Sequence, residues 1–165
     1  MKAALMLAAS LWALSAHAQE VALTTPVSGV VAEVAVKLGD KVRKGQVLAR
    51  LDATIYRARV QEAKAAEQGA AAEEAEAKRN LDRAQQLYRR TVSSTTELEA
   101  AQLRYARAQS TLGMDQARRV IAEKQLEEAT LRAPFDGVVT KRLAEPGMVV
   151  AAQCDPKPLI VMERR

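Results

Sequence analysis

The sequence predicts an α+β protein in which a small pseudosymmetric β module is split by a long antiparallel α-helical coiled-coil hairpin. Three observations carry that expectation. From about Thr54 to Leu131 the chain is rich in Ala and in charged residues and contains no Pro, with one break near Val92 to Thr96. The segments on either side are rich in Gly and Val and alternate apolar with polar residues, as half-buried strands do. These two flanks also match each other at equal offsets, which predicts that they are halves of one structure. In a chain of 165 residues with aromatics at 3% and nearly half its length in the Ala-rich stretch, a large core is not expected. An elongated molecule fits better.

The N-terminus carries Lys2, an apolar run from Ala3 to Leu14 and the small-x-small ending Ser15-Ala16-His17-Ala18, which predict a cleaved signal peptide over 1–18 and a mature chain from Gln19. About 14 apolar residues are too few for a membrane span, which needs roughly 20. No Cys follows the run, so lipoprotein attachment is not indicated. The single His, His17, leaves with this peptide, and the single Cys is Cys154. A Ser-His or Cys-His nucleophile pair, a zinc site and an internal disulfide are therefore not expected, and neither is an enzyme. Cys154 reads as a small, partly buried apolar residue, with an intermolecular link as the other reading. The net charge of +5 is not concentrated in a nucleic-acid patch, because residues 54–131 hold 13 Lys and Arg against 12 Asp and Glu.

In the first flank, Thr24 to Asp52, the run Val-Val-Ala-Glu-Val-Ala-Val over 30–36 suits a half-buried strand, and Gly39-Asp40 and Lys44-Gly45 punctuate the residues after it. Three or four strands of three to six residues are expected, too few to close a core alone. Their partner is the second flank. Gly29-Val30-Val31 is matched by Gly137-Val138-Val139, Gly39 by Gly147, and Val42 by Val150. Strands are expected there at Val138 to Leu143, Met148 to Ala151 and Leu159 to Met162, with Glu145-Pro146-Gly147 as a turn. Gln153 stands where Gly45 stands in the first half, and residues 154–158 form a longer turn than their counterpart.

Between the flanks, Ile55 to about Thr91 is built from strong helix formers, with Asp52 or Thr54 as N-cap. A helix of about 37 residues would span about 55 Å. Ala70, Glu74, Ala77, Leu81, Ala84 and Tyr88 recur at coiled-coil spacing. So do Leu98, Ala101, Tyr105, Ala108 and Leu112, followed later by Ala122, Leu126 and Ala129. Mostly small seam residues bury little area, so the pair relies on helix propensity and on surface pairs such as Glu74 with Lys78 and Asp115 with Arg119. Gly69 and Gly113 each cost about 1 kcal/mol in a helix interior and mark either a bend or a close approach. Ser94-Thr95-Thr96-Glu97 is a capping box that starts the second helix, and Leu131-Arg132-Ala133-Pro134 ends it. Both signs of charge surround the helices, which disfavours a DNA-reading or membrane-surface role.

The run from Gly29-Val30-Val31 through Gly39-Asp40, Lys44-Gly45-Gln46 and Leu51-Asp52 resembles the first half of a biotinyl/lipoyl domain. Ala133-Pro134-Phe135-Asp136-Gly137-Val138-Val139 resembles the start of its second half in the HlyD-like periplasmic adaptors, also called membrane fusion proteins, of tripartite efflux systems of the RND type. The resemblance implies a biotinyl/lipoyl-like β-sandwich, the barrel-sandwich hybrid, with lipoyl halves at 19–53 and 132–165 and an α-helical hairpin inserted at 54–131. Arg83, Leu87 and Ser94 are similar to the Arg-Leu-Ser motif that such adaptors place at the hairpin tip against a TolC-type outer-membrane channel. Other readings of the three are a solvated charge, a seam residue and a helix cap.

The resemblance further implies a periplasmic location, an inner-membrane transporter of RND or ABC type as second partner, and a homo-oligomer. A carrier domain would instead present a modified Lys on a tight turn between the halves. That position is filled by helix, so no cofactor is expected. Family members usually continue into a β-barrel domain, whereas this sequence stops at Arg165, so docking to a transporter is in doubt and a truncated adaptor is a third reading.

Overall fold

The computed structural model describes residues 20–90, 94–153 and 156–164. The signal peptide read over 1–18, the reversal at Val92 and Ser93, and Cys154 lie outside the described residues. In chain order the elements are β1 (Glu20–Leu23), β2 (Gly29–Val34), β3 (Lys41–Val42), β4 (Val47–Leu51), α1 (Thr54–Arg89), α2 (Thr95–Glu128), β5 (Thr130–Arg132), β6 (Gly137–Arg142), β7 (Val149–Val150) and β8 (Ile160–Arg164). Strand β1 falls before Thr24, where the reading of the first flank began, and β3 and β7 are shorter than expected.

The strands form two four-stranded sheets, ordered β1-β8-β6-β3 and β5-β4-β2-β7, in which every pairing is antiparallel. Each sheet takes two strands from each flank, so neither half closes without the other. The repeat holds at the level of single bonds. The Gly39 amide donates to the Val139 carbonyl at 2.8 Å, and its counterpart Gly147 donates to Val31 at the same distance. Val139 in turn donates to Asp40, and Val31 to Met148. Gly39 and Gly147 sit at φ of 85° and 86°, a region that L side chains rarely adopt, so this crossing turn needs glycine in both halves.

The core lies between the sheets. Leu48, Leu159, Ile160, Met162, Val31 and Val139 are fully buried, and each contributes about 1.5–3 kcal/mol of transfer free energy. Leu48 and Leu159 are equivalent: the former accepts from the Ala35 amide and the latter from Leu143. Leu159 lies 12 positions after Gly147, against nine from Gly39 to Leu48. The symmetry fails at one pair of glycines. A Cβ on Gly137 would overlap the Glu163 carbonyl oxygen, whereas one on Gly29 would meet Leu51 at an ordinary 3.5 Å.

Helices α1 and α2, of 36 and 34 residues, run antiparallel between β4 and β5. The first starts one residue away from either expected cap. Ala53 occupies the N-cap position and makes no side-chain bond. Asp52 lies one residue too early, and its carboxylate accepts from the Thr54 amide at 2.9 Å and the Thr54 hydroxyl at 2.7 Å. Those bonds hold its pKa below the usual value. The second helix stops at Glu128, sooner than Pro134 requires, because Leu131 is buried in the core and Thr130–Arg132 pair with β4.

Along the seam Ala70, Ala101 and Ala122 are buried, with Leu81, Ala84, Leu98, Tyr105, Ala108, Leu112 and Leu126 half-buried. Tyr88, expected in the seam, is instead 41% exposed. Asp115 pairs with Arg118 at 2.8 Å rather than with Arg119. Arg119 lies closer to the seam, where it reaches across to Glu67 on α1 and along its own helix to Glu123. Glu74 faces Tyr105 across the hairpin. Gly69 and Gly113 have open space where a Cβ would be, so neither is a close-packing site within the chain.

Candidate functional site at the hairpin tip

The hairpin is anchored to the β module at its root. At the root the Tyr56 hydroxyl donates to the Ser28 carbonyl at 2.6 Å, and the Leu51 amide donates to the Ala129 carbonyl at 2.8 Å. With 36 residues at 1.5 Å each, α1 carries its last turn about 54 Å from that root.

At the far end Ser94 has extended backbone, φ −82° and ψ 158°, and its hydroxyl accepts from the Glu97 amide at 3.3 Å. The Glu97 carboxylate accepts from the Ser94 amide at 3.3 Å, so the expected capping box forms. Arg83 and Leu87 lie four residues apart on α1 and therefore share one face. Together with Asn80 and Ala84 they line one wall of an open groove of about 440 Å³, and Glu97, Ala100, Ala101 and Arg104 line the other. Leu87 is 39% exposed and Arg83 is exposed. The fold thus brings Arg83 and Leu87 into one groove and commits the Ser94 hydroxyl to the helix cap, from which it does not line the groove.

Chemically the groove offers two guanidinium groups, the Glu97 carboxylate and an accessible apolar side chain. Such guanidinium groups can pair with carbonyl or carboxylate oxygens. It is open, and nothing in it excludes water. Among the described residues no group of three His, Cys, Asp or Glu is placed to hold a metal. No helix among them is long and apolar enough to cross a membrane.

The shaft carries its own polar ladder. Hydrogen bonds from Arg119 hold the Glu123 carboxyl below its usual pKa, and Glu67 and Glu123 together raise Arg119. Tyr105 is raised by partial desolvation and by Glu74. A second cavity, about 570 Å³, opens at the root between Ser28, Val30, Asp52, Tyr56, Gln125 and Glu128. There the Arg59 guanidinium lies 5.8 Å from the centre of the Tyr56 ring. Sequence reasoning missed this cavity; the spacing of Tyr56 and Arg59 on one helical face was its only signal.

Residues 19–155 match the family profile of the CzcB-like barrel-sandwich hybrid domain. The chain is 29% identical over 135 residues to the multidrug resistance protein MdtA of Cronobacter turicensis, covering 82% of this chain and 32% of that protein. It thus spans about a third of the length of the curated relatives it matches. Among solved structures, a putative efflux transporter from Bacteroides eggerthii superposes with a TM-score of 0.59 at 26% identity, over 89% of this chain and 40% of the other. A MacA-MexA chimeric protein that carries the Pseudomonas aeruginosa MexA α-hairpin domain superposes with a TM-score of 0.62 at 25% identity, over 88% and 46%.

Proposed function

The chain belongs to the CzcB-like barrel-sandwich hybrid family, and on that premise we propose that it serves as an adaptor of an efflux or export pump. In this reading residues 1–18 direct export and are removed. The halves over 19–53 and 132–165 form the base in the periplasm, and the hairpin over 54–131 reaches toward an outer-membrane channel of TolC type. An inner-membrane transporter of the RND or ABC kind would be the second partner, with several copies of the chain acting together. The role is architectural and not catalytic.

The observation that carries the proposal is the placement of the Arg83–Leu87 groove at the end of a shaft about 54 Å long, inserted between two halves that cannot close separately. A fold that only carried a cofactor would need a short Lys-bearing turn at that point. Arg83 would pair with terminal carbonyls or carboxylates of the channel's helices, Leu87 would fill an apolar gap between them, and Ser94 would keep the second helix's first turn in place.

The test is site-specific crosslinking from the tip to a reconstituted outer-membrane channel. Arg83→Asp should lower the yield by about tenfold, as loss of a charge-assisted bond plus like-charge repulsion would. Helicity should not change. Ser94→Arg should lower it as well, with a further loss of about 1 kcal/mol of helix stability from the missing cap. Undiminished crosslinking by Arg83→Asp overturns the docking role.

A further inference from the structure

The cavity at the root of the hairpin lies far from the tip groove and is walled by both regions of the molecule. Its lining comes from the β1–β2 loop and the start of β2, the first turns of α1 and the last turn of α2. Its volume of about 570 Å³ falls within the range of small-molecule sites, roughly 300–1,000 Å³. Asp52 and Glu128 bring two carboxylates to it, against the single guanidinium of Arg59. Glu128 is half-buried, and the ion pairs among the described residues leave it out. Asp52 gives its Oδ1 to Thr54 and keeps its Oδ2 out of those bonds. Beside the carboxylates Ile55 and Val30 are 65 and 44% exposed, large apolar side chains without a packed neighbour on that side.

We infer that this cavity binds an organic cation with an apolar body, its positive group set against the Glu128 and Asp52 carboxylates and its body against Ile55, Val30 and the Tyr56 ring. A half-buried carboxylate without a cationic partner is costly, and a bound cation offsets that cost. The ring is a fixed platform, because the Tyr56 hydroxyl is tied to the Ser28 carbonyl at 2.6 Å. Its face already takes a cation, the Arg59 guanidinium 5.8 Å from the ring centre. Arg59 is exposed and makes no ion pair among the described residues, so it can swing into solvent and give up the ring.

The lining disfavours the other ligand classes of this size. An anion would meet two carboxylates for one guanidinium. A bare metal ion needs more ligands than two carboxylates beside apolar side chains offer, and among the described residues no group of three His, Cys, Asp or Glu is placed to supply them. A wholly apolar molecule would desolvate Glu128 further and leave it unpaired. A cation with an apolar body answers both parts of the lining. It would also touch the module and both helices at once, and so add to the bonds from Tyr56 to Ser28 and from Leu51 to Ala129 that join the two regions. The inference is independent of the adaptor reading, which rests on the tip.

The test is isothermal titration calorimetry of the full chain with tetraphenylphosphonium and with tetraphenylborate, ions of the same shape and opposite charge. The expected result is one site with a Kd below about 1 mM for the phosphonium, and binding of the borate weaker by about tenfold or more. Glu128→Gln should weaken phosphonium binding about tenfold, since it removes the charge and keeps the shape. Ile55→Asn should weaken it about fivefold. Arg59→Ala should tighten it about threefold, because the competing cation is gone. Glu62→Gln, on the same helix but outside the cavity, should leave it unchanged. Circular dichroism confirms that each variant folds, and the melting midpoint should rise with added phosphonium in the unaltered chain but not in Glu128→Gln. Equal or tighter binding of the borate overturns the inference. So does phosphonium binding that Glu128→Gln leaves intact, binding that Arg59→Ala weakens, or no saturable binding up to about 1 mM.

Discussion

The β module and the hairpin are made by the same chain and held together by different physics. In the module two interlocked sheets enclose fully buried Leu, Ile, Val and Met, and each half supplies strands to both sheets. In the hairpin the seam mixes Ala with half-buried Leu and Tyr, and Arg119, Glu67, Glu123 and Lys64 stitch its flanks near the root. One region is specified by volume and the other by propensity and charge. A change in side-chain size should therefore act on the module, and a change in backbone entropy or protonation on the hairpin.

The largest effect is expected at Gly137, where an added methyl group has nowhere to go because the Glu163 carbonyl occupies its place. Gly137→Ala should destabilise the protein by about 3 kcal/mol or more, since the obstacle is backbone and not a movable side chain. Gly29→Ala, its counterpart in the repeat, should cost less than about 1 kcal/mol. Urea unfolding of the two variants measures the difference, and equal losses would show that the pseudosymmetry extends further than the packing indicates.

Next in size is the contrast between core and seam. Leu48→Ala in the fully buried core should cost about 2–5 kcal/mol. Leu81→Ala, half-buried in the seam, should cost about 1 kcal/mol, because the Ala-lined groove has less to lose. Thermal melting followed by far-ultraviolet circular dichroism separates them.

Smaller, and of opposite sign, is the effect of Gly69→Ala and Gly113→Ala. Each removes a helix-interior glycine from a position with open space for a Cβ. Each should stabilise the hairpin by up to about 1 kcal/mol. Melting of dilute protein keeps this backbone contribution apart from any association between copies.

The same contrast explains what could be read from the sequence. The match of Gly29, Gly39 and Val42 with Gly137, Gly147 and Val150 was legible because backbone crossing turns demand glycine at fixed places, and the structure puts hydrogen bonds there. The capping box at Ser94 was legible because both of its bonds are local. Strand β1 was not, since Glu20–Leu23 has no turn signal of its own and exists only by pairing with β8 at the far end of the chain. Nor was the partner of Arg119. Local spacing offered Asp115, whereas the rotation of the two helices about the seam turned Arg119 toward Glu67, fifty-two residues away. Arg83 and Leu87 were singled out only by their resemblance, with Ser94, to a tip motif; Glu97 and Arg104 joined their groove through the antiparallel return, which no local pattern records.

The smallest expected effect is on protonation, and it should be confined to the hairpin and to Asp52 at its root, whose bonds to Thr54 hold its pKa low. Arg119 holds Glu123, and Lys124 holds Glu127, below the ordinary carboxylate pKa. A carboxylate whose folded pKa is depressed contributes its full stability above the unfolded value, and loses it as pH falls through the folded one. Acidification below about pH 4 should therefore lower the hairpin's melting temperature slightly. The loss should shrink in Glu123→Gln, which cannot titrate and has no ion pair to lose. Raising the salt concentration at neutral pH should weaken the same pairs, because all of them reach solvent. Tertiary signals from the β module should stay unchanged over the range, since its fully buried residues carry no ionisable group. If module and hairpin instead melt together at every pH, the bonds at the root, Tyr56 to Ser28 and Leu51 to Ala129, couple the two regions strongly enough to erase the distinction.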